Sequence, residues 1–590
     1  MTVQFEGGYF MIPEPLVRGW GPNAHTAKDL SKLSNYAIDA VNLIQDTPWE
    51  VNPFIADVIK ALFDAGENLS IKNKHGDVDT ILRIAKPIDP RLDPTETTLD
   101  RIPAERWAAM TPEEKKVFRT KKARILLRFE ENLGVYRATH RIINTALEMR
   151  QFDKFYFPHN MDFRTRIYPI PTDLTPQSND LSKGLLRFAR PTKVGKEGLF
   201  WMGVTVASQW GEDKLSMDDR FSYAVKMLTE GEIQKWVDDP LANRGWLKAD
   251  APFQFLAVAH EWVWAFRMDN PEEFMSRIPG NLDGSCNGAQ HLSIMARDLV
   301  GAEATNCRSI PSRNDLYMEV GDRVWERLER DAANGDPLAI EWLPKMMEPR
   351  DRRNTVKRSV MTVPYGVTDR GVAEFMITDK HVGDDVKNKW DSAKYMRDLI
   401  MSSIDETLSN GRKLQRWFQA CAVKCAEAGV PLAWDTPAGC KVTQAYRNVI
   451  QKRIKSFSSR FYIYEEPQEG EDTEDFLQRV GMDERKMGTA APPNVVHSCD
   501  ASHLQITVCR MGDVGIKDFS MIHDSFGCPF AHVGLMRDIL RQSIVDMYGG
   551  NYLMEWKESV ERYSGLEMPE PPELGEFDIN EILTSEFFFS

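Results

Sequence analysis

At 590 residues the chain exceeds what one hydrophobic core usually organises, so its fold must be assembled from several domains or subdomains. Its punctuation suggests where they part. Residues 27–66 read as helical, with Leu30, Leu33, Ala37 and Val41 recurring at spacings of three and four. Pro87, Pro90, Pro94 and Pro103 mark a loop or boundary. A helical pattern then runs over 112–152 with no internal proline after Pro112 and one glycine, Gly134. Residues 155–180 turn to extended chain, with Tyr156, Phe157, Tyr168, Pro169, Pro171 and Pro176. Helices and short strands alternate to about residue 310, and 312–430 is mainly helical. Residues 519–530 set apolar runs on either side of a polar centre, the pattern of a hairpin. No internal repeat or low-complexity linker stands out.

Composition narrows the class. Hydrophobic residues at 42% and charged residues at 27% describe an ordinary globular protein. No apolar run reaches the roughly 18 residues that span a bilayer; the nearest, 255–266, is broken by His260 and Glu261. The first residues carry Glu6 and few arginines, so neither a secretory signal nor a transit peptide is expected. Eight irregularly spaced cysteines suit reduced thiols and a cytoplasm. Cys421 and Cys425 lie four apart without a second pair, so they are read as core thiols rather than metal ligands. A net charge of −14 speaks against a uniformly basic nucleic-acid binder, but the cations are clustered. Lys115, Lys116, Arg119, Lys121, Lys122, Arg124 and Arg128 form one basic stretch, and Arg350, Arg352, Arg353, Lys357 and Arg358 another. Acid gathers in 465–475 and 567–586, read as solvated surface.

Three blocks carry chemistry. Asp283 sits in Leu282-Asp283-Gly284-Ser285-Cys286-Asn287-Gly288-Ala289-Gln290-His291, where an acid before a sharp turn can offer its carboxylate to a hard cation; Asp-Gly is equally a plain turn dipeptide. Asp524, in Ile522-His523-Asp524-Ser525-Phe526-Gly527, is placed at a hairpin tip. The two acids could together hold a pair of Mg2+ ions. His523 with Asp524 also suggests half a hydrolase triad, but no nucleophile elbow accompanies it. On a helix Arg353 and Lys357 share a face one turn apart and could grip a triphosphate, and Tyr365, beside Pro364 and Gly366, could abut a sugar and base. A surface basic helix running into an apolar turn is the plainer reading of that block.

In this order the blocks resemble the single-subunit DNA-dependent RNA polymerases of bacteriophages and mitochondria. The quoted aspartate block, Lys357-Arg358-Ser359-Val360-Met361-Thr362 with Tyr365-Gly366, and His523-Asp524-Ser525-Phe526-Gly527 together carry the resemblance. Residues 155–168, Ser182-Lys183-Gly184-Leu185-Leu186, the block from Asn494 through His497 to Leu504, and the aromatic tail Phe587-Phe588-Phe589 agree with it. The resemblance implies a helix-rich α+β fold, a right-hand polymerase with palm, fingers and thumb. It makes Asp283, Asp524 and the Gly284 carbonyl the metal ligands, with Lys357 catalytic beside the two acids. Arg353, Lys357, Tyr365, Gly366, His497 and Tyr317 would bind the nucleotide, with Tyr365 and His497 sensing the ribose. Arg164, Arg166 and Lys183 would touch nucleic acid. Arg453, Lys455 and Arg460, in a hairpin over 446–464 similar to the family's specificity loop, would contact promoter DNA, although a solvated surface hairpin fits them as well. The family usually has glycine where Thr165 stands, and Pro364 would bend the helix just before Tyr365. The tail would pack back near the site.

The implied division is 1–66 as a remnant of an N-terminal region, 67–154 thumb, 155–311 first part of the palm, 312–497 fingers, and 498–590 second part of the palm with the tail. Gly7-Gly8-Tyr9 and a helix containing Trp49 resemble segments that follow a large N-terminal domain in full-length members. Met1 stands where that domain would end. The expected enzyme then relies on a separate polypeptide for promoter recognition or melting, starts on single-stranded template, or is a truncated product. Its partners would be template DNA, RNA product and ribonucleoside triphosphates. The enzymatic alternative is a primase or DNA polymerase of the related right-hand class. A binding relative without catalysis would lack a metal ligand or triphosphate cation, and none is missing.

Overall fold

The structure, a computed structural model, describes residues 16–18, 33–72, 78–93, 102–383, 386, 388–449, 451–455 and 460–590. Gly7-Gly8-Tyr9 and residues 27–32 lie outside them. Helices dominate, and their ends follow local chemistry. The longest, Pro112–Met149, opens on a capping box in which Thr111 and Glu114 bond each other's backbone, with Pro112 at the first helical position. At 1.5 Å per residue it extends about 57 Å. Only Thr139, Ile142, Ile143 and Ala146 are buried, so its last turns anchor it while the part bearing Lys116, Arg119, Lys121, Arg124 and Arg128 stands exposed. No helix among the described residues is long and apolar enough to cross a membrane. All eight cysteines are free thiols.

The expected helix around Trp49 is not formed. Trp49–Val51 is a strand paired antiparallel with Leu186–Phe188, between the helices Asn35–Gln45 and Pro53–Ala65. Pro48 removes a backbone donor just before it, and Asn52 caps the next helix with Pro53 at its first position, so the helical pattern is cut on both sides. The hairpin within 446–464 is present: Gln451–Lys455 pairs with Arg460–Tyr464, setting Arg453 opposite Tyr462 and Lys455 opposite Arg460. Arg453, Lys455 and Arg460 are placed there by register alone.

Two hydrophobic cores divide the helices. The larger draws on residues from Leu16 to Cys307 and again from Leu414 to Phe589. The smaller is built almost wholly from Leu316 to Leu408, around the fully buried Trp342, with Ala289 and Ala304 joining it from the preceding segment. Among the described residues one sheet has three strands, and it joins distant segments: Pro279–Asp283 and Ser520–Ile522 flank Ser525–Pro529.

Candidate active site

That sheet brings the two acids together. Ser525 pairs with Asp283 across it, and Asp524 occupies the adjoining two-residue turn, where the Gly284 amide donates to the Asp524 carbonyl at 3.1 Å. His523, with φ of 48°, supplies the left-handed conformation that a tight hairpin turn needs. Both carboxylates are exposed to the cleft, and neither forms an ion pair among the described residues. Crowding by the cleft walls, and next the charge of Asp283, push the Asp524 carboxyl above its ordinary value. A cavity of about 410 Å3 opens there, lined among others by Lys183, Gln254, Asn281, Asp283, Asp524 and Ser525.

This donor set suits a hard divalent cation. Two unpaired carboxylates that repel each other gain from a divalent cation, and magnesium completes its shell with water and substrate phosphates. No group of three or more acidic, histidine or cysteine side chains placed to hold a metal exists among the described residues, so water and substrate would supply the remaining ligands. The Gly284 carbonyl already accepts the Cys286 amide at 3.1 Å, which leaves it one lone pair.

The tail closes the back of the site. Phe587, Phe588 and Phe589 are buried, the Ser590 amide donates to the Asp283 carbonyl at 3.1 Å, and Gln290 Nε2 donates to the Phe588 carbonyl at 3.0 Å. Gln290 stands in the Asp283 block, but its tie to the tail had no local signal.

The candidate cations lie on the helix Pro349–Thr362. Arg353 donates through Nε to Asp315 at 2.7 Å, and its guanidinium lies 5.1 Å from the centre of the Tyr317 ring; Lys357 Nζ lies 5.9 Å from the same centre. Tyr317 is thus a platform under both cations. The basic run is not uniform. Arg352 is paired with Asp322 and Arg358 with Asp379, whereas the exposed Lys357 has no ion-pair partner among the described residues. Asp315 carries no role in the motif reading, though an aspartate capping the helix that begins at Leu316 is a legible signal.

The helix stops at Thr362, and Val363–Tyr365 continues as a 3-10 turn held by Gln415, the bend expected at Pro364. Gly366 follows with φ of 77°, a left-handed end that suits glycine. Tyr365 packs on His497 with ring centres 4.7 Å apart. Gly288 admits that ring: a Cβ there would come within 2.8 Å of the phenol. Burial raises the Tyr365 hydroxyl and, with Arg166 and Arg164 next, lowers His497, so both are neutral.

Arg164 and Arg166 reach the site with partners already in hand. Arg164 is paired with Asp162 at 2.6 Å and also reaches His497. Arg166 forks onto the buried Asp500, with Nε 3.0 Å from Oδ1. Asp162 has no local signal in the sequence, whereas Asp500 lies one helical turn after His497. Between the arginines Thr165 has φ of 69°, so the position usually held by glycine keeps the glycine-like backbone with a β-branched residue in it.

The fold and this gathering of acids, cations and paired rings define the class: a profile of the DNA-dependent RNA polymerase family matches residues 192–565, more than half of the chain, and the chain belongs to that family. Within it the chain is of the single-subunit bacteriophage and mitochondrial type. It is 31% identical over 561 residues to DNA-directed RNA polymerase 2, chloroplastic/mitochondrial, of Arabidopsis thaliana, covering 94% of this chain and 52% of that protein. DNA-directed RNA polymerase 3, chloroplastic, of Nicotiana sylvestris is 31% identical over 605 residues, covering 99% of this chain and 57% of its own. The chain therefore spans about half the length of the curated relatives it matches. The polymerase domain of Pol1 from M. smegmatis, solved with DNA primer-template and dNTP, shares a TM-score of 0.39 at 12% identity over 88% of this chain and 68% of its own.

Proposed function

We propose that this chain carries the catalytic site of a DNA-directed RNA polymerase. What supports the reading is that Asp283 and Asp524 meet on one sheet, Lys357 and Arg353 share one helix over Tyr317, and Tyr365 packs against His497 within reach of the Asp524 charge. Asp283 and Asp524 would hold two magnesium ions, which when bound lower the pKa of the attacking hydroxyl and balance charge on the departing pyrophosphate. Lys357 and Arg353 grip the triphosphate, Lys357 as a free point charge and Arg353 as a fork steadied by Asp315. Tyr365 and His497, tilted 33° to each other, present a neutral wall to the sugar, where a ribose hydroxyl finds polar partners and a deoxyribose leaves them unpaired. Lys183 and the exposed basic face of Pro112–Met149 supply charge for template and product, which a net charge of −14 does not.

Run-off synthesis with the full chain, ribonucleoside triphosphates and magnesium, on melted and on duplex DNA, tests this. Template-dependent RNA is the expected product. Incorporation of deoxyribonucleotides at equal rate, or no synthesis on either template, overturns it. Activity confined to melted DNA indicates that a separate polypeptide supplies opening.

A further inference from the structure

The contact between Arg164 and His497 is more specific than an arginine near a histidine. Asp162 collects five donors on its two oxygens: the Arg164 and Arg166 amides on Oδ1 at 2.9 and 3.2 Å, and Arg164 Nε, Arg164 Nη2 and the Tyr168 hydroxyl on Oδ2 at 3.0, 2.6 and 3.3 Å. Two of these bonds grip one edge of the guanidinium and fix its plane. The remaining nitrogen, Nη1, then points at His497 Nδ1 at 2.6 Å. A guanidinium has donors only, so Nδ1 must accept. The imidazole proton is thereby assigned to Nε2 by chemistry rather than by choice.

We infer that Arg164 is a positioning residue that locks His497 as the Nε2–H tautomer, making it a permanent hydrogen-bond donor toward an oxygen of the incoming nucleotide. Nε2 bonds nothing among the described residues, and the ring is only partly buried. The groups around it reinforce the neutral state. Arg164 and Arg166 face it from the 162–166 turn, His523 from the hairpin tip and His291 from the helix Asn287–Met295, while Tyr365 covers one ring face. The nearby acid on its own helix, Asp500, is taken up by Arg166. Burial, then Arg166 and Arg164, lower the imidazole far below its ordinary value. A donor that cannot become an acceptor distinguishes a sugar hydroxyl or base oxygen from a hydrogen at the same place. The use made of this donor rests on the polymerase reading; the tautomer does not.

The test uses the full chain labelled with 15N-histidine, the His497 signals being assigned from His497→Gln. The expected wild-type spectrum shows a proton on Nε2, unchanged between about pH 5.5 and 8. Arg164→Gln, whose amide can also accept from Nδ1–H, should give a mixture of tautomers, and Arg164→Lys, which can only donate, should restore Nε2–H. A proton on Nδ1 in the wild type, or no change in Arg164→Gln, overturns the lock. In synthesis, Arg164→Gln should lower the preference for ribonucleotides by about tenfold, one lost neutral hydrogen bond, with no further fall in Arg164→Gln with His497→Gln. Additive losses, or weaker template binding at unchanged preference, would mean that Arg164 acts on nucleic acid directly. A chain that makes no polymer refutes the polymerase reading while the spectra still decide the tautomer.

Discussion

The two cores position their functional groups by different means. In the larger one, Asp283 and Asp524 meet only because strands far apart in sequence pair, and the walls around them are cross-braced by buried contacts such as Arg166 on Asp500. In the smaller one, Lys357 and Arg353 are set by a single helix, and the nearest support, Asp315, caps the neighbouring helix. Long-range pairing makes the acids rigid and dependent on the whole fold. The local device ties the cations to one helix and the cap of its neighbour. Where the two units touch, at Tyr365, Gly288 and His497, the wall held by long-range pairing faces the one set by a single helix.

The largest effect should come from the rigid side. Asp283→Ala or Asp524→Ala should lower synthesis by about a thousandfold or more, since no neighbouring group replaces either ligand. Both side chains face the cleft, so the unfolding midpoint should stay within experimental scatter. Run-off assays beside denaturant melts check this; retained synthesis breaks the metal assignment.

Acid should next separate the cores. His159 and His503 are fully buried in the larger one, each against a backbone carbonyl, and burial pushes both down to about 4. Their folded values lie below the unfolded 6.5, so the folded state binds fewer protons in that window. Stability is complete above about pH 6.5 and is lost as pH falls toward 4, by about 3 kcal/mol for each histidine. Among described residues the 316–408 unit holds one histidine, His381, which is less deeply buried and also lowered by burial. Hydrogen exchange at pH 5 should therefore loosen the larger core first; uniform loosening would erase the distinction.

On the helix, Lys357→Ala should cost about ten- to a hundredfold in kcat/KM for the triphosphate, the worth of a charge-assisted contact, with stability unchanged. Arg353→Ala should cost as much in kcat/KM and also about 1 kcal/mol of stability, because Asp315 loses its ion pair. Equal stabilities for the two variants would mean that Asp315 does not brace the cation helix.

The same contrast governs what was legible in the sequence. The cation helix, its bend at Pro364 and the hairpin tip at Asp524 are local patterns, and each stands where the pattern put it. Partners hundreds of residues away leave no local trace: Asp500 for Arg166, Gln505 for Thr165, the Phe588 carbonyl for Gln290. Trp49 failed for a local reason that could have been read, since Pro48 and the Asn52-Pro53 cap interrupt the helical spacing.

Thr165 joins both kinds of information in one residue, and it should give the smallest effect. Its φ of 69° is costly for a β-branched residue, about 1–2 kcal/mol. Its hydroxyl is buried without a partner among the described residues, a further cost. The turn persists because others hold it: the Thr165 amide donates to the Asp162 carbonyl and its own carbonyl accepts Gln505 Nε2, both at 2.9 Å. Thr165→Gly removes both costs but adds freedom to the unfolded chain, offsetting about 0.5–1 kcal/mol. The net expectation is a gain of about 1 kcal/mol in denaturant unfolding, whereas Thr165→Ala removes the orphan hydroxyl and keeps most of the strain. If glycine and alanine stabilise equally, the hydroxyl is the main cost and the backbone is relaxed. If glycine alone stabilises, the rigid wall bearing Arg164 and Arg166 is held in a strained turn by its long-range contacts.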